Sequence, residues 1–394
     1  MEPNLQMKSD FMLGNSITLE QLEGDVHAIH HKLREVEPVS WVPAIDCWLV
    51  TDRQLCVAVM RDARTYTVDH PGFSTGQVVG PSMLSLDGKT HLKHRKPFEQ
   101  PFRRREVEQR FRQPVGRFIN ELIAGFKPKG AAELRRDFAG PIAVKTMVEA
   151  LGMDETPVKQ VLGWYDTIVD AVTRVSAGEP VSDEGKAAFG LLKESLLPVL
   201  KRDAETSLLA SAAGLADGLS DDQIISNAAV LLFGGIETTE GMIANALYHL
   251  FNHPQVLAQV RDDLDLISAA IEESLRMEPA ASVVDRYTTA ETELAGVTIP
   301  EGDLVRVSLA GANRDPNTFP DPDRFDPGRK NLRSHVTWAQ GPHVCLGLHL
   351  ARLEAQESIK QLLVKLPNLK IKIGNESTPK GLIFRKPEAL QASW

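Results

Sequence analysis

Cysteine is scarce in this chain: Cys47, Cys56 and Cys345 are the only three in 394 residues, too few for a disulfide framework. Cys47 lies in a strand-like run and Cys56 in a helix-like one, so both are expected as core residues in a reducing cytoplasm. Long uninterrupted apolar runs are missing too. The longest apolar segment, residues 224–250, is broken by Asn227, Glu237, Thr238, Thr239, Glu240, Asn245 and His249, which argues for a buried helix and against a membrane span. The opening MEPNLQMKSDFMLGNS has neither the basic nor the apolar region of a leader peptide. Charge of one sign is not concentrated. The net charge is −9, with both signs dispersed, so no nucleic-acid partner is expected. No repeat, low-complexity tract or linker divides the chain, and 42% hydrophobic content supports a large core. A single domain over 1–394 is the expectation.

What is present is mostly helical patterning. Residues 18–36 have helical spacing, 41–51 turn to β-branched and aromatic residues, and 52–61 return to helix. Gly and Pro at short intervals make 69–85 a loop with one helical turn. The stretch 86–100 puts His91 and Arg95 four apart on one helix face, and 107–200 reads as a helical wall. Ser220 and Gln223 form a capping box that opens a helix of about 40 Å running to Leu250. Arg286 begins a strand-like segment with a turn at Pro300, Glu301 and Gly302. Residues 313–329 hold too much Pro and Asp for regular structure. A helix to about Leu366 and strand-like pieces at 369–373 and 381–385 close the chain.

The most legible chemistry is WAQGPHVCLGLHLARLE, residues 338–354. Gly341 and Gly347 allow a tight loop around Cys345, and a helix starting near it adds partial positive charge. Both lower a thiol pKa, so a thiolate is expected. In that helix Leu346, Leu350 and Leu353 share one face, with Arg352 and Glu354 turned away. On residue type alone, a buried free cysteine is the commoner outcome.

In the long helix, Gly234 and Gly235 together cost about 1–2 kcal/mol relative to alanine, which calls for a kink or a close approach. Thr238 shares a face with Gly234, leaving room for a small molecule beside the hydroxyl, although such a hydroxyl can also simply bond its own helix carbonyl. Glu237 is either a solvated charge or a functional acid among apolar neighbours.

Trp338-x-x-Gly341-x-His343-x-Cys345-x-Gly347 resembles the haem-ligand loop of the cytochrome P450 family, with Trp338 where the family usually has Phe. Gly234-Gly235-Ile236-Glu237-Thr238-Thr239 resembles its oxygen-binding groove, Glu273-Ser274-Leu275-Arg276 its structural ion pair, and His91-x-x-x-Arg95 its propionate pair. The four appear in the family's order, covering nearly the whole chain from Trp41 to Trp394.

The resemblance implies a mainly α fold with a small β-rich region, binding haem b with Cys345 as the axial iron ligand. His91, Arg95, Arg286 and His343 would meet the propionates, with Gly234 and Gly347 against the haem. Glu237 and Thr238 would relay protons, and Arg324 would complete the Glu273–Arg276 pair. The implied activity is monooxygenation of a small hydrophobic molecule with O2. Electrons would come from a ferredoxin or flavodoxin with its reductase, steered by Lys93, Lys96, Arg103, Arg104 and Arg105. Pocket walls are expected from 78–84, 229–233, 282–284 and Leu382. Two other readings are a peroxide-driven hydroxylase of the same fold, disfavoured by the acid–threonine pair, and a non-catalytic accessory protein, disfavoured by Cys345.

Overall fold

The capping box at Ser220 and Gln223 starts a helix of 32 residues, Asp221–Asn252, around which a computed structural model of residues 8–176 and 179–394 is built. The helix passes through Gly234 and Gly235 without a break. A Cβ on Gly235 would stand 2.2 Å from Met147 Sδ, whereas one on Gly234 would meet nothing within 4 Å. One glycine therefore admits the helix Gly140–Ala150, and the other leaves space open.

Helices Gly140–Ala150, Val158–Ser176, Ile267–Met277 and Leu348–Lys365 pack on this central helix, and Arg104–Phe126 packs on Leu348–Lys365, their apolar faces merging in one core. Among the described residues no helix is long and apolar enough to cross a membrane. The opening stretch read in the sequence includes residues 1–7, which lie outside the described residues.

The β-rich side is a five-stranded sheet in the order Val39–Val42, Cys47–Val50, Leu304–Ser308, Val283–Thr288, Tyr66–Thr67. Only the pairing of Cys47–Val50 with Leu304–Ser308 is parallel. Cys47 and Cys56 are fully buried, and burial pushes the Cys47 thiol up to about 12. Both are inert core residues, as expected.

Several boundaries differ from the sequence reading. The 18–36 helix splits into Leu19–Glu23 and Val26–Val36, because Gly24 caps the first piece. A short strand, Ala131–Glu133, interrupts the helical wall and pairs with Gln391–Ser393. The piece 381–385 makes only an isolated bridge, Ala281 to Phe384. Its Arg385 is buried and donates to Glu278 Oε1 (2.6 Å), and also to the carbonyl of Gly24 (3.0 Å).

Glu273 and Arg276 are fully buried and doubly bonded, at 2.7 and 2.8 Å. The third member is Arg329, whose Nε donates to Glu273 Oε1 at 2.8 Å. This corrects the expectation of Arg324, which accepts from Arg276 through its backbone carbonyl while its side chain stays 70% exposed.

A buried histidine sets an acid sensitivity. His249 pairs with Ser274 Oγ (2.9 Å) and stacks on Phe325; burial holds its pKa down to about 3, against the pull of Glu278. An unfolded histidine titrates near ~6.5. Between these values the unfolded chain binds a proton that the folded one refuses. The contribution is therefore whole above about pH 6.5 and falls by up to about 1.4 kcal/mol per pH unit as pH drops. His249→Gln is expected to start less stable near neutrality but to lose less on acidification. Urea midpoints at neutral and mildly acidic pH check this, and parallel losses would remove His249 as the cause.

Candidate active site

The loop 338–347 is shaped before any ligand is considered. Gly341 has φ of 74°, and a Cβ there would stand 2.6 Å from the Met60 carbonyl oxygen. The Cys345 N–H donates to the Trp338 carbonyl (2.8 Å), which closes the turn and leaves the sulfur on the wall of a cavity of about 170 Å³. Arg95, Gly234, Thr238, His343 and Gly347 line the same cavity.

The helix after the loop begins at Leu348, with Gly347 at its N-cap. Cys345 thus sits outside the helix, with the N–H groups of Gly347 and Leu348 reaching it. Burial nonetheless pushes its thiol up, outweighing those N–H groups and the charges of Arg95 and Arg352. The expected thiolate is therefore not the protein's own preference, and a metal would have to displace the proton. Glu354, read as turned away, is buried and lines the cavity. Burial raises its carboxyl well above the usual range, opposed by Thr146.

His91 and Arg286 are not on that wall, but both stand by. The His91 ring lies 4.4 Å from that of His343, and burial lowers its pKa to about 4. His91 Nε2 and Arg286 Nη2 are buried with no hydrogen-bond partner among the described residues. Leaving such donors unpaired costs about 1–3 kcal/mol each, so they call for an acceptor. Arg95 donates to the Val344 carbonyl (2.8 Å). His343 donates from Nε2 to Asp87 Oδ1 (2.8 Å), a partner sequence reasoning missed.

A haem fits this arrangement. It needs a thiol facing an open space, a flat floor without side chains and buried donors for two carboxylates. Cys345 supplies the first. Gly234 and Gly347, where a Cβ would meet nothing within 4 Å, supply the second, and His91 and Arg286 the third.

Thr238 Oγ1 donates to the Gly234 carbonyl (2.5 Å). The backbone bond is thus real, and it leaves the hydroxyl's lone pairs free to accept from a molecule in the cavity. Glu237 is 24% exposed and is not on the cavity wall. Its carboxylate takes Lys386 Nζ at 2.6 Å and the Tyr165 hydroxyl at 3.3 Å. Lys386 lies far along the chain, and no local pattern announces it.

Of the expected pocket walls, Met83, Leu84, Val230 and Leu231 line the cavity. Residues 282–284 and Leu382 do not: Ser282 Oγ donates to the Leu382 carbonyl, and the Leu382 side chain packs against the cluster of Ile17, Leu22 and Leu49. Lys93, Lys96, Arg103, Arg104 and Arg105 are all exposed.

Comparison with known proteins agrees with the geometry. The sequence profile of the family described as Cytochrome P450 matches residues 193–378. The chain is 32% identical to Cytochrome P450 107B1 of Saccharopolyspora erythraea, over 88% of this chain and 89% of that protein. It is also 32% identical to 6-deoxyerythronolide B hydroxylase of the same organism, over 89% and 90%. Among solved structures, P450BioI in complex with an acyl carrier protein superposes with a TM-score of 0.84 at 28% identity, covering 96% of this chain and 100% of that one. Likeness of this extent makes the chain a member of the cytochrome P450 family and a haem-thiolate monooxygenase.

Proposed function

We propose that this enzyme inserts one oxygen atom of O2 into a hydrophobic small molecule, using haem b ligated by the sulfur of Cys345. The observation that carries the reading is the meeting of Cys345, Gly234 and Thr238 in one largely apolar cavity. When bound, the haem supplies the oxidative chemistry, and a thiolate ligand favours O–O cleavage. The chain's own part is binding, exclusion of water and proton supply.

His91, Arg95, Arg286 and His343 would hold the propionates, with Asp87 fixing the His343 ring. Met83, Leu84, Val230 and Leu231 shape the apolar wall against the substrate. The Thr238 hydroxyl donates to the Gly234 carbonyl and offers its lone pairs to the cavity, where it positions a proton donor by accepting its hydrogen bond. Glu237, next in the chain, is the acid that replenishes it.

Electrons come from a ferredoxin or flavodoxin with its own reductase, attracted to the exposed Lys93, Lys96, Arg103, Arg104 and Arg105 on a chain whose net charge is −9. The cytoplasm suits the buried free thiols Cys47 and Cys56, and one domain over 1–394 suits a helical core drawn from Val78 through Ala392.

Thr238→Ala tests the proton assignment. Product formed per reducing equivalent is expected to fall on the order of 10²-fold, the lower end of what a positioned proton donor contributes, with the difference recovered as peroxide. Unchanged coupling would remove Thr238 from the role.

A further inference from the structure

Asn227 interrupts the apolar face of the central helix and is wholly buried. A buried amide needs partners for its oxygen and for both hydrogens on its nitrogen, and here all are met. Its Oδ1 accepts from the Met83 N–H (2.7 Å), while Nδ2 donates to the Gln223 carbonyl one turn back (2.8 Å) and to His94 Nδ1 (3.1 Å). The Met83 N–H can only donate, which fixes the orientation of the amide and makes His94 Nδ1 the acceptor. One side chain thus ties the central helix to the helix Gly88–Glu99 and to the turn at residues 80–85.

That turn is stiff in itself. Gly80 has a φ of 82°, the Ser82 N–H donates to Ser85 Oγ (3.1 Å), and the Ser85 N–H returns to the Ser82 carbonyl (3.1 Å). It also lies directly on the central helix, since a Cβ on Gly80 would stand 3.2 Å from Ser226 Oγ. Met83 and Leu84 both line the cavity. Met83 is buried whereas Leu84 is 38% exposed, so the turn runs from the interior of the cavity to its mouth. Val230 and Leu231 line the same cavity, three and four residues after Asn227 and therefore on its side of the helix.

We propose that Asn227 is a positioning residue for the substrate: its amide fixes the Met83–Leu84 wall relative to Val230 and Leu231, and so sets the size of hydrophobic molecule the cavity accepts. The inference rests on the reading of this cavity as the substrate site and adds the residue that sets its width. An apolar side chain could not do this. Leucine at 227 would leave the Met83 N–H buried without an acceptor, and that group would swing to another partner or to water, taking the turn with it. A ligand that touches a loosened wall has to order it on binding, which weakens its hold.

The probes are imidazole, small enough to meet the haem iron and little else, and phenylimidazole, whose added ring extends to the walls. Binding of each is read from the Soret band of the haem-loaded enzyme. In Asn227→Leu the affinity for phenylimidazole is expected to fall about tenfold, in keeping with one buried hydrogen bond left unmade, with the affinity for imidazole unchanged. The Met83 amide, followed by hydrogen exchange in the same enzyme, is expected to exchange faster by about the same factor. Asn227→Asp is expected to restore the parent's behaviour. Burial keeps such a carboxyl protonated, so one oxygen accepts from Met83 while the hydroxyl donates to His94.

Equal weakening of both azoles in Asn227→Leu would make the residue a general support of the fold and overturn the inference. An unaltered phenylimidazole affinity or an unaltered Met83 amide would do the same. Should Asn227→Leu not load haem, His94→Leu decides, because there the amide keeps Met83 but loses the acceptor that steadies it. A selective fall of about threefold for phenylimidazole, part of one hydrogen bond, supports the wall, and no fall overturns it. If the parent binds phenylimidazole no tighter than imidazole, the reading of the cavity fails and the inference with it. If the parent prefers phenylimidazole and Asn227→Leu keeps that preference, only the role of Asn227 fails.

Discussion

Replacing Cys345 by histidine is expected to abolish monooxygenation and the carbon-monoxide difference band diagnostic of a thiolate ligand, while the protein remains folded. The side chain at 345 faces a cavity and is not packed into a core, so the substitution removes no apolar burial. What changes is the donor. An imidazole is a neutral ligand without the electron push of a thiolate. Burial opposes charge on the Cys345 thiol, and a bound metal would offset that cost. The apo variant should match the parent in urea midpoint, while the reduced carbon-monoxide spectrum separates the two. A thiolate-type band in the variant would place the ligand elsewhere.

The second large effect is on stability. Arg276→Met is expected to cost about 3–5 kcal/mol, because it leaves Glu273 fully buried with half of its compensation gone. Arg276 and Glu273 are each 0% exposed, and Arg276 also donates to the Asn313 carbonyl (3.0 Å). Burial depresses the Arg276 pKa, with Glu273 opposing, which is the mark of a charge kept only by its partners. Arg324→Met, five residues from the true third member, is expected to change stability by less than about 1 kcal/mol, as surface substitutions do. Equilibrium unfolding of the two variants measures the contrast. Equal losses would reinstate Arg324 beside Glu273.

That contrast shows where the sequence could be read and where it could not. The capping box at Ser220, the His91–Arg95 face and the glycine-flanked Cys345 are local patterns, and their geometry follows from a few consecutive residues. Arg329 was missed because the stretch after Asn313 has no period. Nothing in a run of prolines and aspartates says which arginine turns inward. Glu354 was misread for a different reason. The helix Leu348–Lys365 is covered on several sides by Arg104–Phe126, Ile267–Met277 and the central helix, so a one-face reading underestimates how much of it is buried. Lys386 and Tyr165 reach Glu237 from elements far apart in the chain. Only the fold brings those charges together.

Arg385, next to Lys386, carries a consequence for how the chain is made. Its guanidinium bonds the carbonyls of Glu23 and Gly24, 362 and 361 residues earlier, and the Gly381 N–H also bonds Glu23 (2.7 Å). Synthesis proceeds from the N-terminus at roughly 5–20 residues per second. The first helices therefore wait tens of seconds on the ribosome before the arginine that anchors them exists. During that interval their exposed apolar faces are a natural target for holding chaperones, and a shortened C-terminus would leave the beginning of the protein unlatched.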